Sequence, residues 1–255
     1  MTNIDFKNNI NDNKYDNGCI YLCNNLDIVI KDSNFTNNIS KRNGGAIYLD
    51  NIQNLTLDLD SNIFMNNWAI NGGALYFSNV NSNNEEFISD ININNNKFIN
   101  NYAQNFGGGI YSEYDRLHLS QSVTANEVTN NSAGIMGGGC YSPDNIQDNM
   151  FNLDNWKFNK NIVNTIENNY STKPSYIKLN SNISKNNSIT ITSGDHISLN
   201  FSLYDEYDHI INDISQYYSI SLKLELENDN NISQNTIYNS NYKLSGNIGT
   251  FIKGI

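Results

Sequence analysis

Asp58, Asp60 and Asp90 are the residues of this chain best placed to do chemistry. Each falls at an outward position of a short alternating segment, where side chains two apart stand about 6.8 Å from one another and the next segment runs about 4.8 Å away. Three carboxylates at such separations can share one hard cation, which makes the trio a candidate Ca²⁺ site, with His118 one repeat further along. A polysaccharide lyase or hydrolase would use the same groups for acid/base work, together with a cationic base. The two arginines, Arg42 and Arg116, lie outside the outward columns that hold the aspartates. Those columns otherwise carry mostly Asn, Ser and Thr, so the plainer reading is a solvated acidic face partly neutralised by Lys31, with no catalytic residue. Trp68 and Tyr102 offer a different chemistry. They hold the same position in adjacent repeats, and two neighbouring rings can stack against a sugar. Tyr21, Tyr48, Tyr76, Tyr111 and Tyr141 form a longer aromatic column whose simpler role is to stiffen a sheet.

Other chemistries are poorly supported. Cys19, Cys23 and Cys140 are odd in number, which excludes a disulfide-built scaffold, and they lack zinc-ligand spacing to His118, His196 or His209. The Gly-Gly pairs are followed by no Lys-Ser/Thr and no helix, so they are tight turns that need small residues, not phosphate loops. Beyond the Ca²⁺ option, no cofactor is expected.

The elements that must position these residues come from a repeat. Gly44-Gly45-Ala46-Ile47-Tyr48 returns as Gly72-Gly73-Ala74-Leu75-Tyr76, Gly107-Gly108-Gly109-Ile110-Tyr111 and Gly137-Gly138-Gly139-Cys140-Tyr141, with a degraded copy at Asn17-Gly18-Cys19-Ile20-Tyr21. In step with it, Phe35, Phe64, Phe98, Val128 and Phe158 are each followed three residues later by Asn38, Asn67, Asn101, Asn131 and Asn161. Five residues ahead of the Phe position stand Ile30, Leu59, Ile93, Val123 and Leu153, in segments that alternate apolar and polar residues with the period of a β-strand. Each repeat therefore predicts three short strands. One repeat cannot bury its apolar face, but stacked repeats can, which gives an all-β, right-handed parallel β-helix of about five coils. The recurrent Asn after Phe, and Asn37, Asn66, Asn100 and Asn130 just before it, read as structural, because amides can hydrogen-bond down a column and Asn tolerates a left-handed turn. The chain has 54 Asn, and the others, such as Asn92 to Asn96, read as coding bias. Insertions gather between the Tyr and the alternating strand, which predicts a protruding loop from Asn79 to Glu86.

The pairing of Gly-Gly-Ala-Ile with Phe-x-x-Asn over residues 17 to 165 resembles the polymorphic outer-membrane protein (Pmp) repeat of bacterial surface adhesins, also found in large surface proteins of eukaryotic microbes. The Asn-rich chain, continuing into Ser193-Gly194-Asp195 and Leu203-Tyr204-Asp205-Glu206, is also similar to scaffoldin-like repeat proteins of anaerobic fungi. The resemblance implies a pectin-lyase-like solenoid on a cell surface and does not specify an activity.

Past residue 165 the repeat decays, and period-two patterns resume at Ile197 to Leu203 and Ile220 to Leu226, with a turn at Tyr204 to Asp208. These predict a small, incomplete Ig-like β-sandwich over 181–255, after a polar segment at 1–16 and the β-helix at 17–180. A net charge of −11 disfavours nucleic acid and anionic lipid as partners. No apolar run is long enough to cross a membrane as a helix. The first residues lack a signal-peptide pattern, so an extracellular or surface location would make this one segment of a longer chain. Nine Asn-x-Ser/Thr sequons match the number expected by chance and carry no evidence for secretion. The expected role is a non-catalytic surface spacer or adhesive scaffold whose partners are carbohydrate or other surface proteins; the alternative is a carbohydrate-active β-helix enzyme.

Overall fold

The computed structural model describes residues 1–24, 26–52, 55–79, 89–114, 123–143, 155–180, 192, 194–211, 220–223 and 248–250. The repeats stack as a parallel β-solenoid with almost no helix. The Phe sheet contains Asp5–Lys7, Asn34–Thr36, Ile63–Met65, Lys97–Ile99, Glu127–Thr129 and Lys157–Asn159, with Phe6, Phe35, Phe64, Phe98, Val128 and Phe158 in register. The tyrosine sheet runs from Ile20–Cys23 through Ile47–Ile52, Leu75–Asn79, Ile110–Ser112 and Cys140–Ser142 to Tyr170–Thr172. The alternating sheet has three described strands, Leu26–Lys31, Leu55–Asp60 and Ser89–Asn94.

A fourth strand per coil, which the sequence reading did not separate from the Phe-x-x-Asn motif, follows it directly. It is Trp68–Asn71 in one coil and Tyr102–Phe106 in the next, stacked between Ile39–Ser40 and Ser132–Ala133. The polar segment 1–16 is also hydrogen-bonded into the stack through Asp5–Lys7 and Ile10–Asn11. Its Phe6 and Asn9 are a sixth copy of Phe-x-x-Asn, 29 residues ahead of Phe35 and Asn38, hidden in the sequence by the polar residues around it.

The interior follows from alternation. Leu55, Leu57 and Leu59 are buried on one face of their strand, with Phe35, Phe64 and Phe98 across from them in a single core cluster. The Phe rings stack at centroid separations of 4.8 and 4.9 Å, the spacing of the coils themselves. Val123 departs from the expected column. It is 81% exposed, and its amide and that of Thr124 donate to the Asn94 side-chain oxygen, so the chain meets the alternating sheet through a side chain at this point. Leu153 and the predicted loop at 80–86 lie outside the described residues.

Two rows of asparagines flank the Phe sheet, buried except at Asn9, which is half-buried. In the first, Asn9, Asn38, Asn67, Asn101, Asn131 and Asn161 each donate through Nδ2 to the Oδ1 of the next amide in the row, which ends on Asn169 and then on the Glu167 carboxylate. In the second, Asn62, Asn96 and Asn126 do the same, with Ser33 at one end. Asn96 is fully buried and structural, which corrects its reading as coding bias. The signal was available: it stands two residues before Phe98, as Asn62 does before Phe64 and Asn126 before Val128.

The corner after the Phe strand needs a left-handed backbone. Asn37, Asn66, Asn100 and Asn130 take φ between 53° and 57° there, as the sequence predicts, and Asn8 of the first coil does the same at 57°, but the sixth coil places Lys160 at φ 52°. A lysine in this region is strained by contact of its Cβ with the following carbonyl, and Asn relieves part of that cost. Lys160→Asn is expected to raise stability by about 0.5 kcal/mol in denaturant unfolding, with no such gain from Lys160→Ala.

Beyond the solenoid the order becomes antiparallel, as the change of pattern predicts. The chain divides into two compact units, Met1–Ser175 with Asp205–His209, and Tyr176–Tyr204 with Ile210–Ile255. In the second, Tyr176–Leu179 pairs with Phe201–Tyr204 and Ser221–Lys223 pairs with Ile248–Thr250. Among the described residues no helix is long and apolar enough to cross a membrane.

Candidate functional site

The three aspartates project from neighbouring strands of the alternating sheet, whose inward positions are locked by Leu55, Leu57, Leu59, Ile91 and Ile93. Register sets Asp58 beside Val29 and Asn92, Asp60 beside Lys31 and Asn94, and Asp90 beside Thr56. Each carboxylate has local partners. Asp58 Oδ2 lies 2.6 Å from Lys31 Nζ, and that hydrogen bond holds the lysine pKa above its ordinary value. Asp60 Oδ1 accepts from the Ser61 hydroxyl at 3.1 Å and the Asn95 amide at 3.4 Å. Asp90 Oδ1 accepts from Asn92 at 3.3 Å. Among the described residues, no three His, Cys, Asp or Glu side chains come together around a point that could hold a metal ion. His118 lies outside the described residues.

The ring pair is brought together. Trp68 and Tyr102 are register partners on the fourth sheet, with centroids 6.4 Å apart and planes 16° from parallel. They face outward because the next residues, Ala69 and Ala103, are buried and small enough to let the sheet close on the core. Tyr102 is 41% exposed and Trp68 half-buried. The same column holds Ile10, Ile39, Ser132 and Ile162, so the rings sit in a largely apolar strip along the solenoid axis. Sequence reading found the rings and not the strip, since the strand that carries it was not resolved as an element of its own.

The tyrosine column behaves as scaffold. Tyr48, Tyr76, Tyr111 and Tyr141 are buried, with successive ring centroids 4.4 to 5.5 Å apart, and only Tyr21 is exposed. Tyr76 and Tyr111 both donate to Glu113 Oε1, at 2.7 and 3.1 Å. Burial is the main cause that pushes the Tyr76 phenol far above its ordinary range, which suits a fixed donor and not a proton shuttle. All three cysteines are free, and burial pushes the Cys140 and Cys19 thiols up, away from the thiolate a nucleophile needs.

Residues 32–50 and 97–113 match the model of the Chlamydia polymorphic membrane protein repeat. Each segment contains one Phe-x-x-Asn strand and the Gly-Gly turn that follows it. No curated protein and no solved structure matches the chain. The two matched segments lie in separate coils of the parallel solenoid, so the repeat match and the fold agree on Pmp-type repeats stacked as a β-helix.

Proposed function

We propose that this chain is a non-catalytic, surface-exposed segment, a rigid spacer and adhesive scaffold that contacts glycans through Trp68 and Tyr102. The match of its repeats to those of a polymorphic membrane protein carries the reading. Two further features support it. The aspartates are engaged with neighbours on an open sheet face, whereas catalysis calls for several preorganised groups around one point. The ring strip runs along the axis, so an extended sugar chain laid on it meets one side chain per coil, at about 4.8 Å intervals.

Binding to a panel of immobilised surface polysaccharides tests this directly. Trp68→Ala is expected to weaken glycan binding about tenfold, from the loss of one stacking platform. Asp60→Asn should leave it unchanged, and neither protein should degrade any polysaccharide. Polysaccharide cleavage that disappears with Asp60→Asn would replace the scaffold reading by a lyase or hydrolase.

A further inference from the structure

The loop Asp205–His209 lies between stretches of the second unit in sequence but packs with the solenoid. It seats on Tyr170–Thr172, the last strand of the tyrosine sheet. The Thr172 amide donates to Asp205 Oδ2 at 3.2 Å, and the Glu206 amide donates to the Thr172 hydroxyl at 3.0 Å. The rings of Tyr207 and His209 meet the Tyr170 ring edge-on, at centroid distances of 4.9 and 5.3 Å. Asp205 is the centre of this contact. It is fully buried, and its Oδ1 accepts from the amides of Tyr207 and His209, both at 2.9 Å. Its Oδ2 also faces His209 Nδ1 at 3.3 Å.

A buried carboxylate therefore faces one imidazole. The protonated ring answers it with a positive charge as well as an N–H, while the neutral ring offers an N–H alone, and only in one tautomer. Burial of Asp205 strengthens the demand, because a buried carboxylate depends on whatever partner charge is at hand. We propose that the Asp205–His209 loop is a pH-operated cap on the last coil of the solenoid, closed by the His209 imidazolium and loosened when that ring loses its proton. The exposed end of a stacked repeat needs such a cover, and here the cover is fastened at a titratable point.

The groups around His209 favour its charged form. Among the described residues the charges acting on it are Asp205 and Asp208, both negative, and Tyr207 and Tyr170 are the other titratable side chains packed on the ring. The hydrogen bond to Asp205 raises the His209 pKa, and burial opposes it without prevailing. The sign of the effect follows. A group whose folded pKa is raised contributes stability that is fully present below its unfolded value, about 6.5, and is lost as pH climbs through the folded value. The cap is thus tight in mild acid and loosens above neutrality.

Hydrogen exchange of the full chain, read by mass spectrometry and corrected for intrinsic rates, tests this at about pH 5.5 and about pH 9. Protection of peptides spanning 170–172 and 205–209 is expected to fall roughly three- to tenfold between the two, beyond any change at Asn62 to Asn67. In His209→Gln the same peptides should show one level of protection at both values, whether that level is open or closed. Wild-type protection that does not change with pH, or a His209→Gln protein that keeps the wild-type response, overturns the proposal.

Discussion

Replacing Gly73 by alanine is expected to cost at least about 4 kcal/mol and to abolish cooperative folding of the solenoid at moderate temperature. A Cβ at this position would stand 2.1 Å from the carbonyl oxygen of Gly108 and 2.7 Å from that of Tyr102. Both are main-chain atoms of the next coil, held by the ladder that defines the stack, so no rotamer change can clear the space. The coils would have to move apart, losing the Phe and Tyr stacks on either side. Gly45 and Gly108 meet the following coil in the same way, so the neighbouring joints are just as close. Thermal unfolding of Gly73→Ala beside the wild type is the measurement, and a shift of only a few degrees would show that the coils can separate locally.

Asn67→Ala is expected to destabilise by about 4 kcal/mol, although it removes only one small side chain. Asn67 Oδ1 accepts from both the main-chain and side-chain nitrogens of Asn38, at 3.0 and 2.9 Å. Its Nδ2 donates to Phe35 O and Asn101 Oδ1, both at 2.9 Å. With alanine, the buried Asn38 amide loses its acceptor and the Phe35 carbonyl loses this donor, in a place water does not reach. Each buried group left unmade costs about 1–3 kcal/mol. Its neighbour is the control. Asn66 is exposed at φ 56°, a conformation glycine adopts freely, and Asn66→Gly should change stability by less than about 0.5 kcal/mol. Urea unfolding of the two variants separates an asparagine kept for its side chain from one kept for its backbone.

Those two residues also mark how far the sequence could be read. Phe-x-x-Asn and Gly-Gly-x-x-Tyr recur at matched spacing because each coil repeats one set of corners and core positions, and a column of identical residues is visible in a single chain. The Phe stack, the first asparagine row and the left-handed corners were legible for that reason. The second row was harder, since Asn96 sits among Asn92 to Asn95 and composition masks position. The first coil was harder still, because only Phe6 and Asn9 carry the motif there. Val123 has the right spacing and hydrophobicity yet points to solvent, since alternation predicts a face only where a partner strand is present to cover it. At the candidate site, the register of Trp68 with Tyr102 followed from spacing, whereas the pairing of Asp58 with Lys31 depended on side-chain reach that spacing does not encode. The contact of Asp205 and His209 with Thr172 and Tyr170 spans more than thirty residues and two kinds of sheet, and no repeat foretells it.

The first asparagine row also gives the solenoid a polarity. Its side-chain amides all point the same way, oxygen toward the first coil and nitrogen toward the last, like bar magnets laid end to end. Such a chain of dipoles polarises itself and leaves partial positive charge at its donor end, where Asn169 hands its N–H to the Glu167 carboxylate at 3.0 Å. The opposite end presents amide oxygen. Coils can therefore add to this stack in only one orientation, since a coil turned the other way would set oxygen against oxygen in a place no water can enter to mediate.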